Sequence, residues 1–369
     1  MAKDQAKTIL IIGTHMMSIY NHRLELIKKL LSLGYEVCIA APEGEEADEL
    51  VKLGCKIILM KVDTRGTNIQ KDLRLIKDLH KIFKETHPDI ILTFYTKTNI
   101  YGGILAKKMK IPYIENICGL GTSLVKDNYM GKFMKFLYKR ALKKASFVFF
   151  QNKDNIKFIT GQNIYNGPYT LLPGSGVSLS RYESLAYPKS SNIEFLFCSR
   201  ILKEKGIEEY LSAARLIKKK YPDTVFHIAG PCDNSYTEII QKNEDEGIIK
   251  YHGKLMDLHP LLAKTHCTVL PSYYPEGMAN ILLESAASCR PVITTGLPGC
   301  GETLDDNESG YIVKEKDVES LADAIEKFIL LSSQEKEAMG LKGRKKMERE
   351  FDRDIVIDNY VSQIEKIIG

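Results

Sequence analysis

No apolar run in this sequence of 369 residues approaches the ~20 consecutive apolar residues that a helix needs to cross a bilayer. The first such run, Thr8–Ile12, is far too short for the core of a secretory leader. The eight cysteines contain no C-x-x-C pair, and most stand singly in or beside apolar stretches. That pattern argues against a zinc site and for reduced packing cysteines in a cytosolic protein. G-x-G-x-x-G is absent, and with it the fingerprint of a nicotinamide or flavin site; H-E-x-x-H is absent too. There is no internal repeat and no low-complexity tract.

What is present points to two domains, since 369 residues exceed what one ordinary core organises. The composition is that of a soluble globular protein. Charge is divided unevenly: residues 1–175 carry 27 Lys and Arg against 16 Asp and Glu, and the rest carries 25 against 31. A basic front half points to an anionic partner or surface for the first domain.

Strand and helix signals alternate, which predicts parallel sheets covered on both faces. In the first half, strands are expected at Thr8–Ile12, Tyr35–Ala40, Cys55–Val62, Ile90–Phe94, Pro112–Glu115, Phe147–Gln151 and Tyr169–Pro173. Helices are expected there at Tyr20–Leu33, Glu45–Leu53, Asn68–Thr86 and Thr98–Met109. A polar stretch over 174–192 marks the crossing to a second series. That series reads as strands at Ile193–Cys198, Thr224–Ala229, Ile248–Tyr251, Cys267–Leu270 and Pro291–Thr294. Its helices fall at Gly206–Lys220, Ser235–Glu246, Leu258–Ala263 and Asn280–Ser288, and after Tyr311–Val313 the chain reads as helical from about Asp317 to its end. The expected fold is α/β: two doubly wound, Rossmann-like domains over 1–178 and 179–351, facing across a cleft lined by strand-end loops. A helix over about 352–369 is expected to pack back on the first domain.

The stretch Val269–Glu284, VLPSYYPEGMANILLE, organises the second series. A buried strand end gives way to a Pro/Gly loop and then to helical periodicity. Free N–H groups and the helix dipole favour an anion at such a junction. Two carboxylates frame it, Glu276 in the loop and Glu284 in the helix, so the ligand has to present hydroxyls as well as phosphate. That describes a nucleotide sugar. Ser199-Arg200 and Lys203-x-Lys205-Gly206 also follow a strand and open a helix. Arg200 offers a bidentate fork and Lys205 a point charge to a diphosphate. A solvated basic loop is the competing reading, and its place at a strand end in the domain of Glu276 favours binding.

In the front half, Gly13 ends the first strand, with Thr14 and Ser18 in the loop behind it. That leaves room for a phosphate or sugar to approach the backbone, although turn geometry alone would also account for it. His15 lies in the same loop and is placed to touch substrate, whereas His22 falls on the helix. Glu115-Asn116 leads into the loop Gly119-Leu120-Gly121. A carboxylate there would hydrogen-bond or deprotonate an acceptor hydroxyl, or else cap the next turn. Between Val125 and Ala145 lie Lys126, Lys132, Lys135, Lys139, Arg140, Lys143 and Lys144, interleaved with Phe133, Met134, Phe136, Leu137 and Tyr138. At helical spacing this is a basic amphipathic helix, suited to an anionic bilayer or a lipid diphosphate, or a surface helix with an apolar core face. Nucleic acid is not expected as a partner, because no recognised module accompanies the patch. Asp352-Arg353-Asp354 reads as helix capping rather than as a metal-binding D-x-D.

Together these residues resemble the family 4 glycosyltransferases, retaining enzymes of the two-domain GT-B fold. The elements run in the family's order: Ser199-Arg200 with Lys205-Gly206, Ile228-Ala229-Gly230, His252-Gly253, Leu270-Pro271-Ser272, the Glu276 and Glu284 pair, Pro291-Val292-Ile293, and Gly301-Glu302 to Gly310. Ser18–Arg23, the Gly119–Gly121 loop and the basic helix are similar to the subgroup that extends lipid-diphosphate-linked oligosaccharides. The resemblance implies that Arg200 and Lys205 hold the donor diphosphate, that Glu276 hydrogen-bonds the donor sugar, and that Glu284 takes the ribose hydroxyls. Gly13, Gly230, Gly253 and the backbone of Gly277, Met278, Ala279, Asn280 and Ile281 would complete the donor site. Eight residues of helix rise about 12 Å, close to the span from sugar ring to ribose. His15, Tyr20, Glu115, Asn116, Gly119 and Gly121 would meet the acceptor, and Lys132, Lys135, Phe136, Lys139, Arg140 and Lys143 the membrane. Three features depart from the family: Met278 where an aromatic residue is frequent, Cys300 between Gly299 and Gly301, and Glu115-Asn116 where a cleft histidine is usual.

The expected activity is transfer of a hexose or N-acetylhexosamine from a nucleoside diphosphate, UDP foremost, to a polyprenyl-diphosphate-linked saccharide. Surface polysaccharide or glycoprotein glycan assembly would be the setting. Anomeric configuration would be retained, with no cofactor and no metal, by a protein at the cytoplasmic face of the membrane. The alternatives are transfer to a soluble acceptor, and a non-catalytic nucleotide-sugar-binding partner subunit.

Overall fold

A computed structural model of the chain describes residues 6–63, 68–120, 124, 128–232, 234–274 and 277–369. The chain packs as two compact units, Met1–Ser175 with Asp354–Gly369, and Gly176–Arg353. It therefore passes between them twice.

The first unit holds a parallel sheet of β1 (Thr8–Ile12), β2 (Glu36–Ala41), β3 (Lys56–Leu59), β4 (Ile90–Phe94), β5 (Tyr113–Ile117), β6 (Phe147–Phe150) and β7 (Tyr169–Leu171). Their order is β3-β2-β1-β4-β5-β6-β7, so the winding reverses between β1 and β4. The residues explain the two-sided cover. Ile9 and Ile11 enter one apolar cluster while Leu10 and Ile12 enter another, and a strand without a polar face has to be buried on both sides. The helices α1 (Met16–Ser32), α2 (Ala47–Lys52), α3 (Ile69–Thr86), α4 (Thr96–Met109), α5 (Tyr129–Leu142) and α6 (Lys153–Gly161) supply that cover.

Two of these depart from expectation. Helix α1 begins at Met16, upstream of Tyr20, because His15 is extended and serves as N-cap while Met16 and Ile19 turn inward; Thr14 and Ser18 mask that apolar spacing. Helix α6 was not anticipated, being short; the Asn152 side chain caps it by accepting from the Asn155 amide at 2.8 Å.

The second unit repeats the plan with β8 (Glu194–Cys198), β9 (Val225–Ala229), β10 (Lys250–Tyr251), β11 (Cys267–Leu270), β12 (Val292–Thr295) and β13 (Gly310–Val313), all parallel in the order β10-β9-β8-β11-β12-β13. Its helices are α7 (Ile207–Lys220), α8 (Thr237–Asp245), α9 (His259–Lys264), α10 (Asn280–Ala287), α11 (Val318–Leu330) and α12 (Ser333–Lys346). The winding reverses between β8 and β11. The continuous helix expected from Asp317 onward is interrupted. Ser332 and Glu335 form a reciprocal capping box that starts α12 afresh. After a π-helical turn at Met347–Phe351, extended Asp352 bridges to Val177 before α13 (Arg353–Ile368) begins.

Helix α13 lies on the first unit's sheet, where Val356, Ile357, Tyr360 and Ile364 join the cluster of Ile9, Ile11, Ile90, Leu92 and Phe149. The Tyr360 hydroxyl donates to Asn116 Oδ1, and its ring lies 4.7 Å from that of Phe149. Among the described residues no helix is long and apolar enough to cross a membrane.

Candidate active site

Ligands of doubly wound sheets sit outside the strands' carboxyl ends, where the winding reverses. In the second unit that point is flanked by the loop after β8, carrying Arg200 and Lys205, and the loop after β11 leading into α10. The two loops are stitched together: Tyr273 N–H and the Ser272 hydroxyl both donate to the Glu204 carbonyl, at 2.8 and 3.3 Å. Gly206 makes this approach possible. Its φ is +80°, and a Cβ there would lie 2.3 Å from the Pro271 carbonyl oxygen. Gly230, after β9, is held as closely, because a Cβ would lie 1.9 Å from the Ser199 carbonyl oxygen. Its N–H donates to the Gly253 carbonyl at 2.7 Å. The structure thus gathers Arg200, Lys205, Gly230 and Gly253 with Gly277–Ile281 at one edge of one sheet.

The electrostatics there favour an anion. Arg200 is exposed, whereas Lys205 is buried in a 3₁₀ turn with its ammonium 5.0 Å from the centre of the Tyr274 ring. Burial, opposed by Cys300 and reinforced by Arg200, lowers Lys205 to about 8. A buried cation beside a second cation is stabilised by an arriving diphosphate. Burial also pushes the Cys300 thiol up to about 11, so it is a neutral neighbour.

At the start of α10 one assignment needs correction. The Ala279 N–H is committed to the Gly299 carbonyl at 2.7 Å, so it does not face a ligand, and the Ile281 side chain packs on the core. Glu284, a full turn further along, is half-buried, and burial raises its carboxyl above the usual range. A hydrogen bond from Tyr182 and the charges of Arg353, Arg181 and His259 oppose that rise. The Tyr182 ring stacks on His259 at 4.8 Å, and the Arg181 guanidinium lies 5.6 Å from its centre. His259 is held by Asp257 at 2.6 Å and by the Arg181 carbonyl at 2.5 Å. Sequence reasoning missed Tyr182, Arg181 and His259. They come from the polar crossing segment and the start of α9, and no local motif marks either. Glu276 lies outside the described residues.

In the first unit, Gly13 and His15 follow β1 at its switch point, with Ile19 packed so close to Gly13 that a Cβ would meet it at 2.7 Å. Across the reversal, Tyr95 follows β4 with φ +74° and ψ 156°, a region that non-glycine residues occupy only under strain. Its hydroxyl bonds Ser18. The pattern around Tyr95 gave no hint of this. Gly119 is half-buried in the loop after β5, and Gly121 lies outside the described residues.

Three acceptor assignments are corrected. Tyr20, expected to meet the acceptor from the start of its helix, instead lines a small cavity with Leu24, Lys28, Glu49, Lys52 and Leu53, between α1 and α2. Glu115 is mid-strand, because β5 runs on to Ile117, and it is fully buried beneath α4, where a Cβ on Gly103 would meet its carboxylate. Among the described residues neither carboxylate oxygen has a hydrogen-bond partner, and burial raises it well above the usual range, so it belongs to the core rather than to an acceptor site. Asn116 is tied to the Thr93 carbonyl at 3.0 Å and to Tyr360.

Helix α5 presents one buried face, Gly131, Tyr138, Ala141 and Leu142. On the other side Tyr129, Phe133 and Phe136 are exposed by 92%, 55% and 53%. Lys132, Lys139, Arg140 and Lys143 are exposed around them, and Lys135 is half-buried. Lys126 lies outside the described residues.

Residues 184–346 match the family described as "Glycosyl transferases group 1", and residues 9–152 match "Glycosyl transferase 4-like". The chain is 26% identical to the N,N'-diacetylbacillosaminyl-diphospho-undecaprenol alpha-1,3-N-acetylgalactosaminyltransferase of Campylobacter jejuni, over 95% of this chain and 96% of that one. It is 24% identical to an Escherichia coli UDP-Gal:alpha-D-GlcNAc-diphosphoundecaprenol alpha-1,3-galactosyltransferase, over 71% of each. Among solved structures it resembles the sucrose-phosphate synthase of Thermosynechococcus elongatus, with a TM-score of 0.81, 18% identity and coverage of 98% and 99%. It also resembles Anabaena HepE in complex with UDP and glucose, with a TM-score of 0.79, 15% identity and the same coverage.

Proposed function

Because this chain belongs to the family 4 glycosyltransferases of the GT-B fold, we propose that it moves a hexose or N-acetylhexosamine from UDP to a polyprenyl-diphosphate-linked saccharide, with retention. The observation that carries the donor half is the pair of cations at the second unit's switch point, Arg200 exposed and Lys205 buried and lowered to about 8. As the bond from the anomeric carbon to the diphosphate breaks, negative charge grows on the departing oxygens. Arg200 and Lys205 meet it there, and such preorganised charge is usually the largest catalytic contribution. These two cations supply what a metal ion would otherwise supply, so no metal and no cofactor is required. Glu284 takes the ribose hydroxyls and Glu276 the donor sugar. The protein works in the cytoplasm on the inner face of the membrane.

The acceptor half rests on two supports. The Campylobacter and Escherichia relatives are named for acceptors on diphospho-undecaprenol, and the exposed face of α5 mixes aromatics with cations as interfacial helices do. His15 and Gly119 remain the acceptor contacts of the first unit.

The test supplies the purified protein with UDP-linked hexoses and N-acetylhexosamines and a polyprenyl-diphosphate-linked saccharide. One donor should yield UDP and a glycosylated lipid of the added mass, in the presence of a chelator, with the donor's anomeric configuration seen by NMR. Arg200→Ala and Lys205→Ala should each lower kcat by roughly 100-fold or more. Full turnover in both variants would refute the donor assignment, and equal use of a soluble saccharide would refute the acceptor assignment.

A further inference from the structure

At the amino edge of β5, the ends of α4 and α5 meet around a cavity of ≈ 320 Å³ lined by Lys107, Lys110, Ile111, Pro112, Tyr113 and Lys144. That volume falls within the range of small-molecule sites, about 300–1,000 Å³. Three of the six lining residues are cations, and Ile111, Pro112 and Tyr113 supply its apolar part. The Tyr113 ring is held in place, because its hydroxyl donates to the Ala141 carbonyl at 2.5 Å. None of the three lysines has a carboxylate partner among the described residues. Lysines commonly complement helix carboxyl ends, each of which offers about half a negative charge. Three full charges around two such ends leave the cavity cationic.

Its position separates it from catalysis. The cavity lies where β5 begins, and five residues of strand at about 3.3 Å each place it at the far edge of the sheet from the switch loops. Helix α5 joins two parallel neighbours, β5 and β6, so it runs back against them. Its Tyr129, Phe133 and Phe136 end therefore lies toward the carboxyl edge, and Arg140, Lys143 and Lys144 lead to the cavity. We infer that this cavity takes the phosphate-bearing head group of an anionic membrane lipid, docked while the α5 face lies on the bilayer; the inference rests on the membrane reading of α5.

Sedimentation of the full chain with phosphatidylcholine vesicles, doped to equal surface charge with either phosphatidylglycerol or oleate, tests it. Simple attraction to a charged surface treats the two alike, whereas a phosphate pocket does not. Wild-type protein should partition several-fold better to the phosphatidylglycerol vesicles. Lys107→Ala/Lys110→Ala should erase that preference and weaken binding by about 30-fold, on the order expected for two cations at a charged surface. Lys139→Ala/Arg140→Ala, which removes equal charge outside the cavity, should weaken both partitions and keep the preference. Transfer to a detergent-dispersed acceptor should be unchanged in the cavity variant.

Equal partition of the wild type, or a preference surviving in the cavity variant, would overturn the pocket and leave the membrane reading standing. No sedimentation with either charged vesicle would overturn both. A wild-type melting temperature raised by glycerol 3-phosphate, with no vesicle preference, would assign the cavity to a soluble phosphate and overturn the lipid.

Discussion

The Tyr182 hydroxyl hydrogen-bonds the Glu284 carboxylate, tying the crossing segment to α10. Burial pushes the Glu284 carboxyl up, and this bond is the largest influence holding it down. Tyr182→Phe should therefore raise it further. The acid limb of the pH profile of kcat/KM for the donor should move to higher pH, while kcat in the alkaline range is retained. A Tyr182 that only packs would lower the melting temperature and leave the limb in place.

Lys205 gives a test of opposite sign. Its ammonium titrates at about 8 in the folded chain against an ordinary 10.5. Donor capture needs the charged form, so kcat/KM should fall as pH rises through about 8. Between 8 and 10.5 the unfolded chain binds this proton more firmly than the folded one, so this group's contribution to stability rises with pH in that window. Lys205→Met should abolish turnover and flatten that stability trend, read by urea unfolding at several pH values.

Glu115 works the other way. Its folded carboxyl sits well above the ordinary 4.5, so the folded chain binds the extra proton and stability is lost as pH rises above that value. Glu115→Gln should be near neutral at about pH 4.5 and gain on the order of 1–3 kcal/mol at pH 8. Urea unfolding at the two pH values checks it. A variant that loses the transfer reaction while gaining stability would restore the acceptor role withdrawn above.

Arg290 is fully buried, and its guanidinium donates to the carbonyls of Leu262 at 2.8 Å and Ala186 at 2.9 Å, with Leu185 at 3.3 Å and Ala263 at 3.2 Å. It staples the crossing segment to α9. A lysine offers one ammonium to a fan of acceptors, so Arg290→Lys should cost about 3 kcal/mol. Chemical unfolding followed by circular dichroism measures it, and the KM for the donor should rise as the Tyr182 segment loosens.

The doubly wound architecture was legible because strands without a polar face alternate with periodic helices, as in Ile9–Ile12 against α1. Arg200 and Lys205 were legible because their loop sits between a strand and a helix, and local order places them at a sheet edge. Glu115 was misread for a simple reason: a strand's carboxyl end is where pairing stops, and the pairing of β5 with β6 carries it on to Ile117. Tyr182 and His259 could not be read, since the ring stack that joins them spans 77 residues of chain. The strain at Tyr95 is set by the sheet on one side and α4 on the other. The breaks in the last third were written in the sequence after all, as Ser332 and Glu335 in capping-box spacing.

The double passage of the chain between its units bears on how the protein is made. During synthesis every strand of the sheet in Gly176–Arg353 is made by Val313, so that sheet can close before Tyr360 is added. The earlier unit cannot do the same. Its sheet waits for Tyr360, Val356, Ile357 and Ile364, which follow the whole of the other unit in the chain, and until they dock, Ile9, Ile11 and Phe149 have apolar surface to offer a chaperone. A chain released early should accumulate with a sound second unit and an unfinished first one, protease-sensitive in the first 175 residues alone.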